Sequence, residues 1–327
     1  MKKINVFLIA IVISNIVNAQ EVYQRTMKLM GSRFDITVVA NSVEQGNQYI
    51  DMAVAEISRI EKLISSWDHK SQTSRVNNNA GMHPVKVDKE LFDLIARSIH
   101  ISKLTDGAFD ISYASMDRIW KFDGSISKMP AKAAMKASVE KVGYKKIILD
   151  QKNNTIFLPE SGMKIGFGAI GKGYAADMAK KLLQSIGVPA GIINASGDMN
   201  TWGKQPDGSD WQVAITNPLN KSKVFAWMPV NEQAVVTSGN YEKYVVLDNK
   251  RYTHIIDPRT GYPSSGIASV TVFAPKAELA DALATSIFVM GVDAGLHLIN
   301  QLPETECIIV EEGGGIVYSN HLEKRKI

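Results

Sequence analysis

The chain has 327 residues, of which 45% are hydrophobic and 21% are charged. This is the composition of an ordinary globular protein, long enough for one large domain or two modest ones with a packed core. The net charge at pH 7 is +4, and two of these four charges, Lys2 and Lys3, fall in a segment that we expect to be removed. A charge this small argues against a nucleic-acid partner and against binding to a membrane surface.

Residues 1–19 have the pattern of a secretory signal peptide. Lys2 and Lys3 precede an apolar run, and Val17-Asn18-Ala19 fits the small-x-small cleavage rule. We therefore predict a signal peptide over 1–19, a single domain over 20–327 and export to the periplasm. An N-terminal membrane anchor is the alternative, but the run is short for about 30 Å of hydrocarbon. No cysteine follows the cleavage site to carry a lipid anchor, and no later segment is apolar enough to be a transmembrane helix.

Helical and strand patterns alternate along the rest of the chain, with the polar stretch 71–79 between the first two helices. Helices are predicted over 50–64, 91–99, 131–142, 174–186 and 276–290. Strands are predicted over 34–39, 147–149, 155–158, 163–165, 190–193, 212–216, 234–237, 244–247, 252–256 and 269–273. The only cysteine, Cys307, is expected to be buried in a further strand. Since several strands form hairpins, the pattern predicts an α+β fold with largely antiparallel sheets.

A glycine-rich segment, Gly166 to Gly173, joins the predicted strand 163–165 to a helix. Glycines allow a ligand to approach the backbone closely, and the following helix N-terminus favours phosphate. Lys172 adds a positive charge, although the spacing matches neither a P-loop nor a dinucleotide fingerprint. The alternative is a tight strand-to-helix turn with an exposed lysine.

Asp281 and Thr285 are four residues apart in a predicted helix, so their side chains share one face. A carboxylate and a hydroxyl are hard oxygen donors that suit Mg²⁺, which takes few protein ligands and keeps several waters. The alternative is a solvated aspartate beside a threonine that hydrogen-bonds back to its own helix.

His254 lies at the end of a predicted strand, before the turn Asp257-Pro258-Arg259-Thr260-Gly261. A histidine there can accept a proton from an attacking hydroxyl, although a structural histidine is the alternative. Two small-residue turns, Ala195 to Asp198 and Thr237 to Tyr241, also follow predicted strands, where ligands often bind. Each of these turns is weak evidence by itself.

Together these motifs resemble the ApbE family, the FAD:protein FMN transferases, in the same order over nearly the whole mature chain. The resemblance is carried by Met30-Gly31-Ser32-Arg33-Phe34, Ser71 to Asn77, Thr105 to Asp110, Gly168 to Tyr174, Gly197-Asp198, His254 to Gly261 and Ala280 to Thr285. It implies an α+β, T-fold-like architecture of mixed, largely antiparallel sheets with packed helices. It also implies FMN transfer from FAD to a threonine or serine hydroxyl of an acceptor protein, with release of AMP.

The resemblance further implies a role for each matching position. The Mg²⁺ ligands would be the side chains of Asp281 and Thr285 and the backbone carbonyl of Ala169, and His254 would activate the acceptor hydroxyl. FAD would contact Met30, Trp67, Ala108, Phe109, Asp110, Gly166, Lys172 and Ile255. Gly166 departs from the family, which often has aspartate there, so that contact is missing or is made by the backbone.

The implied partners are FAD and exported acceptor flavoproteins of the redox-pump or electron-transport type. Two other functions remain open from the sequence. Water in place of the acceptor hydroxyl would make the protein an Mg²⁺-dependent FAD pyrophosphatase that yields FMN and AMP. A flavin-binding protein without turnover is the third possibility, but binding alone does not need the metal ligands Asp281 and Thr285.

Overall fold

The computed structural model describes residues 20–218, 220, 224–241 and 243–324. Its centre is an eight-stranded sheet in which every neighbouring pair of strands is antiparallel. With helices packed on this sheet, the predicted α+β fold is confirmed. The predicted signal peptide lies outside the described residues. No helix within the described ranges is long and apolar enough to cross a bilayer.

The order of strands in the main sheet is β1-β2-β6-β7-β10-β13-β14-β15, and small sheets β3-β5-β4, β8-β9 and β11-β12 surround it. The strands are β1 (Glu21–Leu29), β2 (Ser32–Ala40), β3 (Val85–Lys86), β4 (Ile148–Asp150), β5 (Thr155–Phe157), β6 (Gly191–Ala195), β7 (Asp198–Trp202), β8 (Trp211–Thr216), β9 (Val224–Val230), β10 (Ala234–Gly239), β11 (Tyr244–Leu247), β12 (Lys250–Thr253), β13 (Ile267–Ala274), β14 (Glu306–Glu311) and β15 (Ile316–Tyr318). The helices are α1 (Val43–Ile64), α2 (Gln72–Asn78), α3 (Lys89–Leu104), α4 (Lys132–Ser138), α5 (Gly171–Ser185), α6 (Ala277–Met290), α7 (Val292–Ile299) and α8 (Asn320–Lys324).

Helices α1, α5 and α6 cover one face of the main sheet, and the β8–β9 hairpin covers part of the other. Strand β13 lies between these two layers, so all eight of its residues are buried. Helix α6 is also buried around most of its circumference, as expected for a helix without a continuous polar face. A charged side chain on α6 is therefore unusual, and this applies to Asp281.

The structure differs from the prediction in several segments, and the strand predicted over 252–256 ends at Thr253. Residues 163–165 are not a strand, because Ile165 bonds through both its N–H and its C=O to the side chain of Asn77. The polar stretch 71–79 contains helix α2, which begins where the Ser71 hydroxyl accepts the Ser74 N–H at 2.9 Å. Helix α4 ends at Ser138, four residues before the predicted end.

The predicted hairpin around Asp248 and Asn249 and the buried cysteine are confirmed. Asp248 and Asn249 have positive φ angles of 49° and 59° and form the turn between β11 and β12. Ser196 and Gly197 form a similar turn between β6 and β7. Cys307 is fully buried in β14. The β6–β7 turn is the one that matters for function, because Asp198 begins β7 immediately after it.

Candidate active site

The start of helix α5 packs directly against the start of helix α6. A Cβ atom on Gly173 would overlap with the backbone carbonyl of Ala277, so only glycine permits this approach. The Gly173 N–H also donates to the Asp281 carboxylate at 3.3 Å. The glycine-rich segment and the predicted metal ligand are thus brought together by backbone contact between two helices.

The predicted Asp281–Thr285 pair lies on one face of α6, where Asp281 contacts α5 and Thr285 points toward β10. Asp281 is buried and Thr285 is half-buried. The Thr285 hydroxyl lies 3.5 Å from the Ser238 hydroxyl on β10. Ser238 belongs to one of the two small-residue turns that the sequence singled out, and its hydroxyl extends the line of oxygen donors.

Lys172 forms an ion pair with Asp198, the residue that follows the β6–β7 turn. Asp198 is buried, and burial raises the pKa of its carboxyl group, while the charge of Lys172 lowers it. Burial, and next the negative charge of Asp198, raise the pKa of the Asp281 carboxyl group well above its ordinary value. The Lys172 charge and the Gly173 N–H oppose this shift.

This part of the site therefore holds more buried negative charge than positive charge. Asp177 adds a third carboxylate that acts on Asp281, while Lys172 is already paired. A divalent cation bound at Asp281 would relieve the repulsion, so the residues fit a hard metal ion. Among the described residues no group of three or more His, Cys, Asp or Glu side chains is arranged so that it could hold a metal ion by itself. The ligands would then be the mixed set already predicted, Asp281, Thr285 and the carbonyl of Ala169, with water.

Asp177 on α5 is a site residue that the sequence reasoning missed. Its carboxylate accepts the Ala277 N–H at 2.8 Å and the Glu278 N–H at 3.0 Å, which caps the N-terminus of α6. It also accepts a hydrogen bond from Asn200. Burial raises the pKa of Asp177 to about 6, although the two backbone hydrogen bonds lower it. The sequence signal that could have identified Asp177 is an acidic residue that directly follows Ala175 and Ala176 on an otherwise apolar face of the helix.

Replacing Asp177 with alanine is expected to lower the free energy of unfolding by about 2–4 kcal/mol, because two buried N–H groups lose their acceptor. Urea denaturation monitored by circular dichroism measures this change. Asp93→Ala is the matched control, since Asp93 on α3 is partly exposed and pairs with Lys89, and it should change stability by less than about 0.5 kcal/mol. Equal stability of Asp177→Ala and the wild type would show that Asp177 does not hold α6 in place.

The motifs Thr105 to Asp110 and His254 to Gly261, which are far apart in sequence, are adjacent in the structure. Arg259 pairs with Asp257 at 2.9 Å and donates to the carbonyl of Asp106 at 3.4 Å. The indole N–H of Trp120 donates to the carbonyl of Gly261 at 2.9 Å. These contacts join the turn after β12 to the segment that follows α3.

His254 follows β12 and is fixed by contacts of its backbone and its ring. Its backbone N–H donates to the Lys243 carbonyl, and its ring Nδ1 lies 3.0 Å from the same oxygen. A carbonyl only accepts, so Nδ1 carries the hydrogen and Nε2 is the basic nitrogen of the neutral ring. The ring also meets Phe122 edge-on, with 6.4 Å between ring centres. This orientation is compatible with the predicted role as a base.

The residues predicted to bind FAD fall into two groups. Met30 reaches the glycine-rich segment, since its Cε lies 3.9 Å from the position of a Cβ on Gly171. Trp67 is 73% exposed and free of the core. In contrast, the following residues are buried: Ala108, Phe109, Asp110 and Ile255.

Asp110 uses its carboxylate within the protein. It accepts the N–H and the hydroxyl of Ser112 at 2.8 and 2.6 Å and the N–H of Tyr144 at 2.7 Å. Burial raises the pKa of Asp110, and these hydrogen bonds oppose the rise. Gly166, the position that departs from the family pattern, donates its N–H to the Ile111 carbonyl at 2.8 Å, so this N–H is not available to a ligand. The flavin contacts assigned to Asp110 and Gly166 stay predictions.

Comparison with known proteins gives consistent matches. The model of the ApbE family matches residues 30–309. The chain is 30% identical over 301 residues to the FAD:protein FMN transferase of Klebsiella pneumoniae (strain 342), which covers 91% of this chain and 92% of that protein. It is 27% identical over 302 residues to the FAD:protein FMN transferase of Escherichia coli (strain K12), with 90% and 86% covered.

Solved structures show the same fold. The crystal structure of the ApbE protein from Thermotoga maritima superposes with a TM-score of 0.84 at 31% identity, covering 93% of this chain and 99% of that one. The flavin transferase ApbE from Vibrio cholerae superposes with a TM-score of 0.82 at 23% identity, covering 93% and 99%. At 23% identity, the likeness to the Vibrio cholerae protein is evidence for the fold alone.

Proposed function

The chain belongs to the ApbE family and is an FAD:protein FMN transferase, and from this premise we propose that it uses Mg²⁺ to move FMN from FAD onto a threonine or serine hydroxyl of an acceptor flavoprotein, with release of AMP. The observation that carries the proposal is the buried Asp281 carboxylate, one helical turn from Thr285 and in contact with the glycine-rich segment. The buried carboxylates give this part of the site an excess of negative charge, and they lie next to a glycine-rich segment of the kind that binds phosphate. This arrangement suits a metal ion that also binds the phosphate oxygens.

Asp281, Thr285 and the carbonyl of Ala169 would hold the cation. When bound, Mg²⁺ supplies Lewis-acid stabilisation of charge on the phosphate oxygens. Lys172 lies on the first turn of α5 and keeps its ammonium group beside this position through the ion pair with Asp198. In this proposal it stabilises negative charge on the phosphate that leaves with AMP.

The transfer step is a displacement at the phosphorus on the FMN side of the FAD pyrophosphate. The acceptor hydroxyl oxygen forms a new P–O bond, and the bond from that phosphorus to the bridging oxygen breaks. AMP departs with the bridging oxygen, and Nε2 of His254 takes the proton of the acceptor hydroxyl. The product is a phosphoester between FMN and the threonine or serine.

The N-terminal pattern supports a proposal on location. A signal peptide cleaved after Ala19, with no cysteine behind it, would deliver the enzyme to the periplasm without a lipid anchor. Its acceptors would then be exported flavoproteins of redox pumps or electron-transport chains. Detection of a mature protein that begins at Gln20 in a periplasmic fraction would test this location.

The decisive experiment mixes the mature protein, FAD and Mg²⁺ with an exported flavoprotein domain and follows the acceptor by intact-mass spectrometry. We expect a mass increase of one FMN on a threonine or serine, one AMP released per FMN transferred, and no reaction in EDTA. Replacement of the modified residue by alanine is the matched control on the acceptor side and should prevent the mass increase.

The other outcomes distinguish the alternative functions. Free FMN and AMP without labelling of any acceptor tested would support the pyrophosphatase. Intact FAD after long incubation in Mg²⁺ would support a binding protein and contradict an enzymatic role for Asp281. Transfer that persists in EDTA would contradict the metal dependence while leaving the transfer itself intact.

A further inference from the structure

Arg118 is a cation that is fixed in position without an ion pair. It lies in the segment that follows the 3₁₀ helix Ile111–Ser115, and its guanidinium group stacks over the ring of Trp67 at 4.7 Å from the ring centre. Throughout the described ranges no carboxylate lies within ion-pair distance of it. Stacking on an aromatic ring orders an arginine in advance and leaves its N–H donors available.

Tyr113 connects this segment to the metal site. Its hydroxyl lies against Gly168 in the glycine-rich segment, since a Cβ on Gly168 would overlap with it. Tyr113 is 39% exposed as a residue, but the protein atoms packed around its hydroxyl, and next the charge of Asp281, raise the pKa of that hydroxyl, whereas the charge of Arg118 lowers it. The hydroxyl therefore lies within electrostatic reach of both the predicted metal ligand and Arg118.

The same hydroxyl occupies the space in front of Gly166. A Cβ on Gly166 would lie 3.7 Å from the Tyr113 hydroxyl and 3.1 Å from the Cβ of Ala114. A side chain at position 166 would thus point toward the place where Tyr113 now presents its hydroxyl. The polar group that Gly166 cannot supply is available from Tyr113.

The charges on this side of the site favour the binding of a pyrophosphate group. Lys172 is paired with Asp198, so its charge is partly compensated before any substrate binds. The pyrophosphate of FAD brings two negative charges and several acceptor oxygens, and it needs additional donors. Arg118 is the nearby cation with no carboxylate partner in the described part of the chain, and an arginine fork matches phosphate oxygens.

We propose that Arg118 and Tyr113 form a binding subsite for the pyrophosphate of FAD. Arg118 donates N–H groups to phosphate oxygens while it remains stacked on Trp67, and Tyr113 donates its O–H from its position against Gly168. The subsite rests on the proposed function, because FAD is the substrate there. It makes Arg118 and Tyr113 binding residues rather than groups that transfer protons.

The test measures equilibrium binding to the full mature chain in EDTA, so that FAD stays intact. Flavin fluorescence reports FAD and riboflavin, and displacement of FAD reports ADP. Arg118→Ala is expected to weaken FAD and ADP about 10- to 100-fold, the range for loss of a charge-assisted hydrogen bond. Riboflavin, which has no phosphate, should bind within twofold of the wild type. Tyr113→Phe should weaken FAD about 3- to 10-fold.

Two further variants control the result. Gly168→Ala displaces the Tyr113 hydroxyl and should weaken FAD as Tyr113→Phe does. Arg251→Ala removes another stacked guanidinium, 4.2 Å from the Tyr244 ring centre, and should leave FAD binding unchanged. Thermal unfolding confirms that each variant is folded.

The results separate this subsite from the proposed function. Unchanged FAD affinity in Arg118→Ala, or an equal loss of riboflavin and FAD, would overturn the subsite while transfer by the wild type still supported the proposed function. An equal loss would mean that Arg118 only supports Trp67. No binding of FAD by the wild type, either in EDTA or with Mg²⁺ present, would instead overturn the proposed function and the subsite with it.

Discussion

Replacing Asp281 with asparagine is expected to lower the rate of FMN transfer by about 1,000-fold or more. Asparagine keeps the size of the side chain and can still accept the Gly173 N–H, but it removes the one carboxylate among the predicted metal ligands. Metal-assisted charge stabilisation contributes several kcal/mol to phosphoryl transfer, and each 1.36 kcal/mol is a factor of ten in rate. Mass spectrometry of the acceptor over time measures the loss.

Stability provides a second readout for the same change. Asp281 is buried beside Asp198 and its pKa is raised, so the wild type without metal holds an unfavourable charge. Asp281→Asn should therefore unfold at the same or a higher temperature in EDTA. Mg²⁺ should raise the unfolding temperature of the wild type but not of the variant, because only the native state that binds the ion is stabilised.

Asp93→Asn is the matched control, because it makes the same chemical change at a partly exposed position of α3. It should keep both the transfer rate and the response to Mg²⁺. Transfer by Asp281→Asn at the wild-type rate would contradict the assignment of Asp281 as a metal ligand. A variant that lost activity and also unfolded at a much lower temperature would indicate a structural role instead.

The parts of the site that lie within one helix or one turn are predictable from the sequence. Helical spacing places Asp281 and Thr285 on one face, and the structure has them there on α6. The glycine-rich segment does lead into α5, although the helix begins at Gly171, three residues earlier than predicted. Gly173 belongs to the helix because its missing side chain allows contact with α6, which local sequence does not reveal.

The partners that complete the site come from distant elements and were not predictable. The ion pair of Lys172 with Asp198 depends on the position of β7 in the sheet. Strand β7 has no alternating apolar pattern, because Asp198, Asn200 and Thr201 are buried polar residues. Helix α5 supplies the partners of the Asp198 and Asn200 side chains, and the Thr201 hydroxyl donates to the carbonyl of Gln233. A hydrophobicity pattern cannot show these contacts.

Strands β1 and β9 were missed for another physical reason. Both lie at the edge of a sheet, and much of each strand is exposed. An edge strand needs only a few buried side chains, so the period-2 signal is weak. The predicted core strands, such as β2 and β13, are buried and gave strong signals.

Replacing His254 with glutamine is expected to lower the rate of FMN transfer by about 100- to 10,000-fold, the usual contribution of a general base. The structure fixes Nδ1 on the Lys243 carbonyl and thereby makes Nε2 the basic nitrogen. Glutamine retains a polar group of similar reach but cannot take up a proton near neutral pH. Single-turnover transfer, with enzyme in excess over the acceptor domain, measures the effect on the chemical step.

Replacing His254 should leave the response to Mg²⁺ intact, whereas replacing Asp281 should abolish it. FAD affinity and the Mg²⁺-dependent rise in unfolding temperature should both survive in His254→Gln, because the variant changes neither Asp281 nor Lys172. His100→Gln, on the exposed end of α3, is the matched control and should transfer FMN at the wild-type rate. A wild-type rate in His254→Gln would exclude His254 as the base. A loss of FAD affinity equal to the loss of rate would instead show that His254 binds the substrate, since a base acts only in the transition state.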